Sequence, residues 1–162
     1  NLGIKYAIIG HSERRKFLGE SDLIIKKKIK IVQTKGLTPI LCIGETWSQR
    51  KKGETFKVLK KQLNSALRGT SRKSEILIAY EPIWSIGTGK LASFKELNAV
   101  RKKLNIWLKR KKIKFSLIYG GSVNSQNLEG ILKESGFSGC LVGRASTDPR
   151  EAKKLISLIL RI

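Results

Sequence analysis

Residues 79–90 read AYEPIWSIGTGK, Ala79 to Lys90, and decide how the rest of the chain is read. The first two residues close an apolar run, EILIAY (Glu75 to Tyr80), of the length and composition of a buried strand. Glu81 stands where that run ends. Behind it come Pro82 and a loop of Ile, Trp and glycines up to Lys90. An apolar loop closed over a carboxylate excludes water and raises its basicity, which suits a general base.

Working outward, the same rhythm repeats. YAIIG (Tyr6 to Gly10) and TPILCIG (Thr38 to Gly44) precede this strand, while FSLIY (Phe115 to Tyr119) and CLVG (Cys140 to Gly143) follow it. Between them lie amphipathic segments. Ile25, Ile29 and Val32 share one helical face behind a Ser21 cap, and Gly36 marks that helix's end. Phe56, Leu59, Leu63 and Leu67 form a second stripe. Ser93 with Glu96 spells a capping box for a third, bearing Leu97, Val100, Leu104 and Leu108. Leu128, Ile131 and Leu132 mark a fourth helix, and Asp148-Pro149 with Glu151 open a fifth. Five strand–helix units in one domain, residues 1–162, predict a parallel α/β sheet. Two architectures fit: an open doubly wound sheet, complete at this length, or about five units of a (β/α)8 barrel of roughly 250 residues.

In both, chemistry gathers at the C-terminal strand ends. The motifs there are GHSERR (Gly10 to Arg15), CIGE (Cys42 to Glu45), the Glu81 loop, YGGSV (Tyr119 to Val123) and VGRAS (Val142 to Ser146). His11, the one imidazole, opens a helical turn, where the helix dipole disfavours its cation and leaves a neutral donor. Gly87, Gly89, Gly120, Gly121 and Gly143 expose backbone N–H groups that, with Ser122, suit a phosphate. A single histidine or glutamate at a strand end is more often structural; the joint pattern on successive units carries the argument.

Composition narrows the classes. Hydrophobic residues at 40% fit a globular chain, and no apolar run reaches the length of a membrane span. With no visible leader the expected compartment is the cytoplasm, where Cys42 and Cys140, each in an apolar run, are buried thiols rather than a disulfide. One histidine and no CxxC exclude a thiolate or histidine-rich metal site. Lys and Arg number 34 against 12 acids, a net charge of +22. The clusters are interleaved with Leu and Ile, not with stacking aromatics, so they read as a lysine-rich surface and not as a nucleic-acid interface. A first residue of Asn and the lack of any Met point to a piece of something longer.

Taken together the strand-end motifs resemble the triosephosphate isomerase family over Tyr6 to about Leu160, and the resemblance selects the barrel. It implies interconversion of glyceraldehyde 3-phosphate and dihydroxyacetone phosphate, without metal or cofactor. Glu81 would be the base and His11 the neutral electrophile, roles for which that family is itself a standard example. Ser12 and Glu13 would support them; the alternative pairs Glu13 with an arginine and makes Ser12 a helix cap. Pro82 to Thr88 would be the closing lid. Gly87, Ser122, Gly143 and Arg144 would hold the phosphate, although Arg144 stands where the family usually has a second glycine. Ser85 and Thr147 also depart from its commonest residues. The family's eight units leave three unmatched, which would bring an active-site lysine, a neighbouring asparagine and the loop of a homodimer. Five units alone would expose two strand edges and be prone to aggregation with little activity. A relic binding phosphate or anionic polymers through its charge is the alternative.

Overall fold

The computed structural model describes residues 3–71 and 74–162; Asn1 lies outside them. Four strands form one parallel sheet: β1 (Tyr6–Ile9), β2 (Thr38–Ile43), β3 (Ile76–Tyr80) and β4 (Phe115–Tyr119). Seven α-helices accompany them among the described residues: α1 (Ser12–Phe17), α2 (Asp22–Thr34), α3 (Trp47–Lys51), α4 (Thr55–Leu67), α5 (Phe94–Arg110), α6 (Leu128–Lys133) and α7 (Pro149–Ile159).

The spatial order is β1-β2-β3-β4, the order of the chain, and this decides between the two architectures. A doubly wound sheet reverses direction once, which puts helices on both faces. Here no reversal occurs, and right-handed crossovers in an unbroken series place every connection on one face. The result is an arc of a barrel, not closed among the described residues.

The expected fifth strand is a correction. CLVG contributes a single bridge, Tyr119 to Cys140, and no ladder. Its backbone is taken over at once by a 3-10 turn, Arg144–Thr147, whose Ser146 N–H and Oγ both bond the Gly143 carbonyl. Cys140 is accordingly half-buried, whereas Cys42 is buried as expected, and both are free thiols.

Local signals act as the residue types require. Ser93 Oγ accepts from the Glu96 N–H while Glu96 reaches back to the Ser93 N–H at 2.9 Å, the reciprocal capping box. Asp148 caps α7 with Pro149 in its first turn. Gly36 (φ +73°) ends α2, with its N–H on Gln33 and that of Leu37 on Val32, a paired closure open to few residues but glycine.

The helix-facing side of the sheet holds the core. Leu41 and Ile43 of β2, Ile78 and Tyr80 of β3 and Tyr119 of β4 pack with Ile25, Ile29, Leu59, Leu63, Leu97, Leu104 and Leu108 of the helices, all but fully excluded from water. Each such aliphatic contributes about 1.5–3 kcal/mol of transfer free energy. The other, concave side carries a smaller cluster, Cys42, Ala79 and Ile118 with Ile40, Leu77 and Leu141.

Candidate active site

Because all strands run one way, their C-terminal ends share one rim. Strand alternation sends Leu77 and Ala79 to the concave side, and Glu81 follows them in phase. Its backbone is pinned from both flanks. The Glu81 N–H bonds the Ile43 carbonyl at 2.7 Å, and the Gly120 N–H bonds the Tyr80 carbonyl at 2.9 Å. Two glycines make room: a Cβ on Gly44 would fall 1.7 Å from the Glu81 carbonyl oxygen, and one on Gly120 would fall 2.7 Å from Glu81 Cγ. The carboxylate ends only 2% exposed.

His11 enters from the first strand end. It is the N-cap of α1, and its Nδ1 accepts from the Glu13 N–H at 3.4 Å. With that lone pair engaged, the proton of the neutral ring sits on Nε2. Nε2 lies 3.7 Å from Glu81 Oε1, so the two groups face each other without a hydrogen bond. Burial pushes the Glu81 carboxyl above its usual range, against the opposing pull of the His11 ring, the Cys42 thiol, the Ser12 amide and the Arg15 guanidinium. The Cys42 thiol is itself pushed up, by burial first and the Glu81 charge second.

A cleft of about 550 Å³ opens beside this pair, lined among others by His11, Glu13, Glu81, Gly87, Ser122, Gly143 and Arg144. Every expected site residue except Ser12 therefore meets in one cavity; the Ser12 backbone amide is one of the groups that pull the Glu81 carboxyl back toward its usual range. The cap of α1 is His11, not Ser12, and Glu13 Oε2 lies 3.9 Å from His11 Nδ1, with no arginine paired to it among the described residues. The 82–88 loop is folded down: Ser122 Oγ donates to the Ser85 carbonyl at 2.6 Å and accepts from the Gly89 N–H at 3.2 Å. Arg144 approaches within 4.0 Å of the point a Cβ would occupy on Gly87 and is the one Lys or Arg among the described lining residues.

Sequence reasoning missed the support beneath the loop. Glu45, fully buried, accepts from Tyr80 Oη at 3.1 Å and Trp84 Nε1 at 3.2 Å. Arg50 lies 3.5 Å from Glu45, 2.7 Å from Glu96 and 4.8 Å from the centre of a Trp84 ring, whose other neighbour is Trp47 at 5.3 Å. The signal available was an acid two residues past a buried strand, in CIGE. No described helix is long and apolar enough to cross a membrane.

The family model described as triosephosphate isomerase matches residues 1–159. Curated relatives named triosephosphate isomerase include that of Thermoanaerobacter pseudethanolicus, 42% identical over 96% of this chain and 66% of its own length. That of Bdellovibrio bacteriovorus is 40% identical over 98% and 66%, and that of Prochlorococcus marinus strain MIT 9312 is 44% identical over 94% and 62%. The chain thus spans about two-thirds of the length of these relatives. A barrel arc whose third strand presents a buried carboxylate to an imidazole, matched along nearly its whole length, places this chain in the triosephosphate isomerase family.

Proposed function

We propose that the protein to which this chain belongs interconverts D-glyceraldehyde 3-phosphate and dihydroxyacetone phosphate, a step of glycolysis and gluconeogenesis. The observation that carries the reading is the Glu81–His11 pair, 3.7 Å apart on the floor of a glycine-rich cleft. Glu81 takes a proton from one carbon of the triose and returns it to the neighbouring carbon. Its raised basicity comes from burial. His11 Nε2–H donates to the substrate's two oxygens in turn, stabilising the enediolate between them, and gives its proton to one oxygen while the ring takes back the hydroxyl proton of the other. The backbone amides of Gly87 and Gly143, with Ser122 and the Arg144 guanidinium, hold the phosphate. The 82–88 loop keeps water from the enediolate. Cytoplasmic location and a homodimer of the complete protein belong to the same reading.

The test is an isomerase assay on the complete protein encoded with this chain, beside Glu81→Gln. Turnover that falls about a thousandfold on substitution supports the reading, since a general base is worth roughly 10²–10⁴. Equal rates in both would end it.

A further inference from the structure

Ser85 sits in the middle of the loop that covers the cleft and is fully buried. A hydroxyl there must find partners, because an unpaired one costs its desolvation. It finds three. Oγ lies 2.5 Å from the Lys90 carbonyl, 3.2 Å from Tyr119 Oη and 3.2 Å from the Ser122 nitrogen. A serine hydroxyl has one proton and two lone pairs. The carbonyl can only accept, so the proton goes to Lys90, and Oγ accepts from the Tyr119 hydroxyl and the Ser122 N–H. All three capacities are used.

The three partners belong to different parts of the site. Lys90 is the far end of the same loop, Tyr119 ends β4, and Ser122 is the hydroxyl residue of the following turn. The turn is shaped to admit the cluster: a Cβ on Gly121 would stand 2.1 Å from Tyr119 Oη and 2.8 Å from Ser85 Oγ. Ser122 returns the contact by donating Oγ to the Ser85 carbonyl at 2.6 Å.

We propose that Ser85 is a positioning residue, a latch whose single hydroxyl ties the middle and the far end of the covering loop to the 119–122 turn and so fixes the loop closed over the cleft. The inference rests on the isomerase reading for its consequence in turnover, but the latch itself is a property of the loop.

The experiment compares the complete wild-type protein with Ser85→Ala and Ser85→Cys, the latter keeping the volume and a weak hydrogen-bonding group. Amide hydrogen exchange is followed at Gly89 and Ser122 in the presence of inorganic phosphate, and kcat and KM are measured for the triose phosphates. In Ser85→Ala both amides exchange about tenfold faster and kcat/KM falls about tenfold, the scale of one or two lost hydrogen bonds. Ser85→Cys falls between. Unchanged exchange at both amides overturns the latch, as does faster exchange spread evenly through the strands, the mark of a loosened fold. A wild type without isomerase turnover overturns the functional reading alone, since the exchange measurement still decides the latch.

Discussion

The two faces of the sheet are built from similar residues and do different work. On the helix side, Leu41, Ile43, Ile76, Ile78, Tyr80 and Tyr119 are at most 1% exposed. On the concave side, Tyr6 and Ile8 of β1 are 55% and 52% exposed, and only Cys42, Ala79 and Ile118 near the rim are buried. The first face is covered by amphipathic helices from its own sequence neighbourhood. The second can be covered only by strands closing around it, so within this chain it is packed chiefly beneath Glu81. Stability resides on one face and the proposed chemistry on the rim of the other.

The sharpest test of that division is a substitution that moves activity and stability in opposite directions. The carboxyl of Glu81 is raised by burial, so folding favours its protonated form. That contribution to stability is present below the unfolded-state value and is lost as pH rises through the folded-state value. Glu81→Gln therefore melts higher than wild type at neutral pH while turnover falls about a thousandfold. A lower melting temperature would mean that the carboxylate is paired better than its surroundings indicate. By the same shift, kcat/KM declines on acidification from a pH above the usual carboxylate range, because the base must be ionised.

Next in size is Ile78→Ala on the helix face. It should cost about 3 kcal/mol in denaturant unfolding, as core truncations do. A cost under 1 kcal/mol would show that the helices pack on this face more loosely than their burial indicates. Gly44→Ala is smaller in stability, roughly 2 kcal/mol for forced displacement of the Glu81 carbonyl. It should depress kcat more than KM, since the shift is carried to the base. Smallest is Ile8→Thr on the exposed concave side of edge strand β1. It should change the unfolding free energy of the 162-residue chain by less than about 0.5 kcal/mol. It should also reduce concentration-dependent association in light scattering, because an apolar free edge invites pairing. A large loss of stability there would mean that the concave side is packed after all.

Much of this molecule could be read before it was folded. Caps at Ser21, Ser93 and Asp148 act within one helical turn, so residue type and spacing suffice to place them. The rim positions of His11, Glu81, Gly87, Ser122, Gly143 and Arg144 were legible because each stands on or shortly after an apolar run in a repeating order. The short helix α3 was not, since five residues leave no periodicity to detect, and α1 was read only as a helical turn opening at His11. The fifth strand was overread: CLVG has a strand's composition, but the Gly143 carbonyl is claimed by a turn.

What the sequence determined by itself is local: the alternation of buried strands with amphipathic helices, their caps, and which chemical groups stand at the strand ends. Tertiary structure decided what depends on distance between units. The unreversed strand order made the sheet a barrel arc, which no single unit encodes. Registry between β2, β3 and β4 put Gly44 and Gly120 against Glu81, and folding of the 82–88 loop gave the Ser85 hydroxyl partners up to 37 residues away. Hydrogen bonds and steric contacts reach only a few ångströms, so they become definite only when the chain has brought its distant parts together.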